Sequence, residues 1–403
     1  MIKTRITPTP QFVLTLEKER EKSVLILTIE EGRATPYYYK ADGIREAYVR
    51  IGNESIVAPD YILNELILKG KNQSFDALTS DVKKEDYSFT LLEATYYERT
   101  LLKMEPKDYF SFCLADKRGY LTNAGRLFAD QYIVYNSRVF CTRWNGLEKG
   151  SVFDDALDDK EFEGNLIYLL RSASDFIKNN SKVRFYKDVE YRVDKPDYAE
   201  RAVTEALVNA LIHRDYIVLG SEVHIDMYDD RVEISSPGGM FDGKAVQEHT
   251  IADIGSMRRN PVIADLFHRM KFMERRGSGL KKIISETEKL LGYNEFLKPI
   301  FYSDGSSFRV ILKNVNYGTT KVSDKVSDKL NEKEKCFFNV LMTLAKQHDF
   351  VTTKVVAEAA GMPEATTRRY LAKFSKMDII VSDGKNRSKK YYLKNTSMTE
   401  ANH

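Results

Sequence analysis

EALVNALIHRDY, residues 205–216, is the stretch on which the reading of this chain turns. Apolar residues occupy nearly every side of the helix it predicts, from Val203 through Ala206, Leu207, Val208, Ala210, Leu211 and Ile212; Glu205, Asn209 and His213 are the exceptions. At 100° per residue those three fall within about 80° of one another and form a single stripe. A helix packed on most sides keeps a carboxylate only where something compensates it. Either neighbouring polar groups tie the stripe into a structural network, or it faces a ligand pocket. In such a pocket an amide oxygen binds a cation and the carboxylate orients or deprotonates water.

Downstream, EVHIDMYDDRVEISS predicts a hairpin with Val223, Ile225 and Met227 on one face and Asp229–Asp230 at the turn. PGG at 237–239 ends the second strand, where backbone without side chains lets a flat ligand come close. GSG at 277–279 then opens the amphipathic helix LKKIISETEKLL, and the free N–H groups of a helix start receive phosphate oxygens. Upstream, GNLIYLLRSASDFIKN is helical by period, and SFRVILK is a closing strand. The order predicts an α+β sandwich with helices on one face of a mainly antiparallel sheet.

One glycine loop alone is weak grounds for a site. Striped helix, hairpin, PGG, RRGSG and helix in that order resemble the GHKL ATP-binding fold. Within it they resemble the divergent branch described as RecG-like C-terminal domains or ATP-binding transcriptional regulators. EALVNALIHRDY is similar to the N-box, ISSPGGMFDG to the first glycine box and ERRGSGLKKI to the second, over roughly residues 120–313. The resemblance implies ATP or a related nucleotide with Mg²⁺, Glu205 as the water-activating carboxylate and Asn209 as the metal ligand. It implies Gly277, Ser278 and Gly279 along the phosphates, and Gly238 and Gly239 beside the base and sugar. Ser236 stands where the typical motif has an adenine-contacting Asp. His213 either contacts phosphate or, as part of His-Arg-Asp-Tyr, satisfies the last helix carbonyls. Arg275 and Arg276 either touch phosphates or form a solvated pair. No G-x-x-x-x-G-K-[ST] occurs, so a P-loop motor is unsupported.

Residues 314–330 contain the repeat KVSDKVSDK and read as a linker. Beyond it, residues 331–394 predict a helix with Phe337, Phe338, Leu341, Leu344 and Ala345 on one face, a short helix, a break at Gly361, a helix from Pro363 and a β-hairpin. The pattern resembles bacterial winged-helix regulators. In that geometry Thr366, Thr367, Arg368 and Arg369 meet base edges of double-stranded DNA, while Leu371 and Phe374 turn to the core. Lys385, Arg387, Lys389 and Lys390 on the wing neutralise phosphates. Residues 331–403 hold 13 Lys plus Arg against 8 Asp plus Glu, whereas the whole chain carries a net charge of only +3. That asymmetry points the same way.

Residues 1–60 cluster as strands: FVLTL, SVLILTI, PYYY and AYVRIGN. Tyr48, Arg50, Gly52, Asn53 and Glu54 resemble the end of a Schlafen AlbA-type domain whose front part does not precede them. Arg45 and Arg50 either touch nucleic acid or close a turn. No acidic set suited to a nuclease is found. Residues 61–120 read as a helical connector, with LLEATYYERTLLKM as its clearest helix, and the sandwich is expected over 121–313.

At 403 residues the chain exceeds what one hydrophobic core usually serves. The longest apolar run, SVLILTI, is strand-sized, and no secretory pattern precedes it, so a cytoplasmic protein with no membrane partner is expected. Cys113, Cys141 and Cys336 stand at no metal or redox spacing and read as packed thiols. These features together predict a nucleotide-responsive, homodimeric DNA-binding transcriptional regulator. The alternative is a GHKL-type ATPase in which Glu205 drives Mg-ATP hydrolysis.

Overall fold

The helix predicted around Glu205 spans Glu200–His213 and lies across a six-stranded sheet. The computed structural model describes residues 2–19, 22–30, 32, 34–41, 43–51, 54–187, 192–240, 243–255, 257–274, 278–317, 332–348, 350–376, 379–383 and 389–393. The sheet runs, edge to edge, Ala156–Glu163, Arg138–Trp144, Val223–Met227, Arg231–Pro237, Ser307–Lys313 and Ile300–Ser303. Every neighbouring pair is antiparallel except Arg138–Trp144 with Val223–Met227. Because side chains alternate across a strand, register selects one row for the core. Cys141, Ile225, Ile234 and Val310 line up across four strands, and none is more than 2% exposed.

Helices Leu166–Asn179 and Glu200–His213 cover that apolar face, and Gly279–Glu288 packs beside the latter. The opposite face carries polar ladders, including Arg231 and Arg309 on either side of Glu233 at 2.6 and 3.3 Å. The architecture is α+β. Among the described residues, no helix is long and apolar enough to cross a membrane.

The boundary expected at residue 120 does not interrupt the packing. Phe89, Leu92, Tyr96, Tyr109 and Leu114 are buried in the same cluster as the sheet and its helices, with Phe75 packed against it, so the part of 61–120 from about residue 75 onward belongs to this core rather than to a connector. A polar tie reinforces it. The Asp76 carboxylate, fully buried, accepts the N–H groups of Val262 and Ile263 at 2.7 and 3.0 Å. Those donors belong to the first turn of helix Pro261–Arg269, where backbone N–H groups have no intrahelical acceptor.

Near the start of the chain, Ile6–Thr7, Tyr38–Ala41, Ile44–Ile51 and Glu54–Val57 form a four-stranded sheet, and Phe12–Glu19 with Lys22–Ile29 form a separate hairpin. Arg45 lies 4.2 Å over the Tyr38 ring across the turn, which favours its turn-closing reading. The C-terminal unit has its own core of Phe337, Leu341, Leu344, Val356, Leu371, Phe374 and Ile380 among others. Helices Glu332–Gln347, Thr353–Ala360 and Glu364–Lys376 pack with a sheet ordered Val351–Thr352, Lys390–Leu393, Ile380–Asp383. Gly361, at φ +60°, ends the second helix in the left-handed conformation that a side chain disfavours. Of the three cysteines only Cys141 is packed; Cys113 and Cys336 are exposed, which corrects the expectation for those two.

Candidate functional site

A cavity of about 450 Å³ opens beside the stripe of helix Glu200–His213. Glu205, Asn209 and His213 all line it, together with Ser278, Gly279 and Leu280 from the start of the next helix. Ile234, Met240, Ile254, Phe308 and Val310 supply an apolar wall. One end is therefore greasy and the other polar, the usual division of a small-molecule pocket.

Gly279 sets the geometry of the polar end. A Cβ placed on it would stand 2.9 Å from Asn209 Nδ2 and 3.0 Å from Glu205 Oε1. The helix start can rest against both side chains only because it has none of its own. Among the described residues nothing hydrogen-bonds to the Asn209 amide, and Ser278 gives no side-chain cap to the Gly279–Glu288 helix. The amide and the first-turn N–H groups thus converge on the same space. Glu205, 5% exposed, pairs with Lys282 at 3.4 Å. Burial pushes its carboxyl above the usual range, and the Lys282 charge offsets part of that rise. Lys282 also reaches Glu274 at 3.7 Å.

His213 is not a carbonyl cap. The last carbonyls of its helix are taken by other groups: Asn260 Nδ2 donates to Ile212 and Arg214 at 2.8 and 2.7 Å, Tyr216 Oη to Leu211 at 2.8 Å and Arg259 Nη1 to His213 at 3.4 Å. The imidazole lies in the cavity wall. Burial, with Arg259 and Arg258 nearby, pushes it down to about 4, so at neutral pH it is an uncharged donor or acceptor.

The PGG loop reads differently from the expectation. Gly238 sits at φ +97°, and a Cβ there would strike Arg259 Nη1 at 1.7 Å. A Cβ on Gly239 would lie 2.2 Å from the Asp304 carbonyl oxygen. Both residues line the cavity, yet the space their missing side chains leave is filled by protein. Ser236 spends its hydroxyl hydrogen on the Ala210 carbonyl at 2.8 Å, which leaves only oxygen lone pairs for anything in the pocket. Gly277, Arg275 and Arg276 lie outside the described residues.

Reading by motif missed Lys282, Arg258, Arg259 and Asn260. Lys282 was signalled only by its place three residues after Gly279, one turn along the same face. Asn260 precedes Pro261 at a helix start, a pattern that marks a cap. Arg258 pairs with Asp265 at 3.0 Å and Arg259 with Glu65 at 3.8 Å. Both keep a buried Nε without a hydrogen-bond partner among the described residues.

In the C-terminal unit, Thr366 is half-buried, and Arg368 and Arg369 are exposed on one helix. Arg368 pairs with Glu364 at 2.6 Å. Thr367 is fully buried and donates to the Pro363 carbonyl at 3.2 Å, so it is a core residue and reads no base. Lys389 lies 5.5 Å over Tyr391 and Lys390 4.0 Å over Phe350. Lys385 and Arg387 lie outside the described residues.

No group of three or more His, Cys, Asp or Glu among the described residues could hold a metal ion alone. A single amide beside a carboxylate does fit Mg²⁺, which takes few protein ligands and completes its shell with phosphate and water.

Residues 220–312 match the family model described as "Putative ATP-dependent DNA helicase recG C-terminal". The match takes in the hairpin, the PGG loop and the GSG helix, and it begins after Glu205. No curated protein matches the chain. Among solved structures, the DIP2311 protein from Corynebacterium diphtheriae is similar, with 16% identity and a TM-score of 0.51, covering 97% of this chain and 77% of that one. At that identity the likeness is one of fold. The family match supports a RecG C-terminal-like, ATPase-type domain over the segment that walls the cavity.

Proposed function

We propose that this chain is a nucleotide-responsive DNA-binding regulator, in which a GHKL-like α/β sandwich holds Mg-ATP or a related nucleotide and a C-terminal winged helix holds double-stranded DNA. One observation carries the nucleotide reading: Gly279 opens a helix directly against Asn209 and Glu205. Phosphate oxygens would sit at the free N–H groups of that helix start. Asn209 would hold Mg²⁺, which supplies charge neutralisation between phosphate oxygens when bound. Ile234, Phe308 and Val310 would enclose the base, and the lone pairs of Ser236 suit an exocyclic amino group. His213, uncharged, would donate a hydrogen bond without adding charge.

The DNA reading rests on the sheet order of the C-terminal unit and on the exposed cations beside it. Three helices, with one strand after the first and a two-stranded hairpin after the third, are the element order that a winged-helix reading requires. Thr366, Arg368 and Arg369 would face base edges, with Lys389 and Lys390 on phosphates. Nucleotide occupancy would bias how the two units are arranged across the linker.

A second reading is favoured by Glu205. A carboxyl pushed upward by burial beside a cation pocket is what a water-activating base requires. The domain would then turn over Mg-ATP, with DNA binding secondary.

The test combines thermal unfolding, phosphate release and DNA mobility shift on the full chain. A Mg²⁺-dependent nucleotide shift without turnover supports the regulator, and Glu205-dependent phosphate release supports the ATPase. Absence of any nucleotide shift removes both. For DNA, replacing Lys389 and Lys390 with Ala is expected to reduce the slope of log affinity against log salt by up to about 2, one unit for each phosphate no longer neutralised. An unchanged slope would remove the wing assignment.

A further inference from the structure

Among the described residues, the hairpin of Phe12–Glu19 and Lys22–Ile29 displays the largest run of uncovered apolar side chains, and the cavity does not use it. Its register places Phe12 opposite Ile29, Leu14 opposite Leu27 and Leu16 opposite Leu25. Directly opposed residues two apart along each strand share a face, so these six form one uninterrupted apolar face. The other face is mixed, with Thr15 opposite Ile26, Glu17 opposite Val24 and Val13 opposite Thr28.

Water reaches the apolar face freely. Leu14 is 53% exposed, Leu16 69%, Leu25 65%, Leu27 44% and Ile29 54%. The two strands pair with each other and, among the described residues, with no other strand. A soluble monomer rarely leaves an apolar patch of this kind bare, and an open-edged apolar ribbon invites pairing with another chain.

We infer that this face is a dimer interface whose occupant is the same hairpin of a second copy. Two features select that occupant. The first is symmetry: a two-fold axis lying between the two faces, parallel to the sheet and across the strands at the level of the Leu14–Leu27 pair, lays Phe12–Ile29 of one copy over Leu16–Leu25 of the other. The patch is thus complementary to itself, as an isologous interface requires. The second is area. Five aliphatic residues at these exposures present on the order of 500 Å², so two copies face to face remove roughly 1,000 Å², the threshold of a specific interface. Face-to-face stacking leaves Glu17 on the outward face and puts Lys18, opposite Ser23, at the rim of the stacked one. The inference is independent of the nucleotide reading. Should the DNA reading also hold, the same contact would tether two C-terminal units for two half-sites.

The chain is placed in an analytical ultracentrifuge across a dilution series. A concentration-dependent monomer–dimer equilibrium is expected. Leu16→Lys with Leu25→Glu keeps an opposite-charge cross-strand pair, which preserves the hairpin, while charging the face; it is expected to raise the dimer dissociation constant at least a hundredfold. Thr15→Lys with Ile26→Glu makes the same change on the other face and is expected to leave the dimer intact. The single tryptophan, Trp144, lies in the six-stranded sheet, so its unchanged fluorescence would show that either variant leaves the main fold alone. The inference is overturned by any of three results: a monomer at every concentration, open-ended aggregation of the parent chain instead of a closed pair, or a dimer equally stable in the Leu16→Lys, Leu25→Glu variant.

Discussion

Replacing Gly279 by Ala separates the stability of the fold from occupancy of the pocket. The new methyl would sit 2.9 Å from Asn209 Nδ2 and 3.0 Å from Glu205 Oε1, inside ordinary van der Waals contact. Both atoms are far ends of side chains, so the clash is relieved by turning them aside. An off-rotamer displacement costs about 0.5–1.5 kcal/mol. Against it stands the helix preference of Ala over Gly, at most about 1 kcal/mol and smaller in a first turn. The unliganded variant is therefore expected to unfold within ~1 kcal/mol of the parent.

Ligand binding responds differently, because the methyl fills the point where helix start, amide and carboxylate converge. A nucleotide at a hundred times its dissociation constant stabilises the parent by about 2.7 kcal/mol. If the substitution weakens binding a hundredfold, the same concentration gives only ~0.4 kcal/mol. Thermal unfolding with and without Mg-ATP, backed by titration calorimetry, reads both quantities. Two results would refute the reasoning. A variant that keeps the full nucleotide shift would show that phosphate does not use this corner, and one that loses more than ~3 kcal/mol unliganded would show that the cavity wall cannot yield.

Three further outcomes are expected. Glu205→Gln keeps the shape of the side chain but removes a charge that burial disfavours. Stability at neutral pH should hold or rise slightly and nucleotide binding should persist, while any phosphate release falls at least about a hundredfold; loss of binding itself would make Glu205 a ligand contact rather than a base. His213, held down to about 4 in the fold, contributes stability that is fully present above the unfolded value near 6.5 and is lost as pH falls through 4. The loss amounts to about 3 kcal/mol, read as the difference between parent and His213→Gln in denaturant titrations over that window. Glu205 titrates with the opposite sign and cancels in that difference, so parallel curves for the two proteins would contradict the burial of the imidazole. Asp76→Ala strands the buried Val262 and Ile263 N–H groups. It should cost about 1–3 kcal/mol in chemical denaturation, and an unchanged midpoint would show that the segment before residue 120 is not tied to helix Pro261–Arg269.

What the sequence made legible follows from which interactions are local. The stripe of Glu205, Asn209 and His213 is a matter of helical period, and it does face the cavity. The hairpin from Val223 follows from alternation and a turn, and its register is the one that buries Ile225 beside Ile234. What stands opposite the stripe is set by packing between distant segments. Period alone cannot show that Lys282 reaches Glu205, or that Asn260 and Arg259 take the carbonyls assigned to His213. The same limit governs the 61–120 segment. Its helix Thr90–Thr100 was visible, but the burial of Leu92 and Tyr96 against the main core depends on partners more than 70 residues away, as in Arg171 Nη2 donating to Thr95 at 3.1 Å.

The glycines sharpen the point. From sequence, PGG at 237–239 and GSG at 277–279 carry equal weight, since each announces only that a side chain is absent. Structure distinguishes them by what a Cβ would strike. At Gly238 and Gly239 it would meet a guanidinium and a backbone carbonyl, groups that belong to the fold and already use the space. At Gly279 it would meet an amide with no hydrogen bond among the described residues and a carboxylate held at an unfavourable burial. Gly238 faces an Arg259 nitrogen that already donates to the His213 carbonyl, whereas Gly279 adjoins the Asn209 amide, to which nothing among the described residues hydrogen-bonds. That difference is why Gly279, rather than the PGG loop, bears the weight of the nucleotide reading.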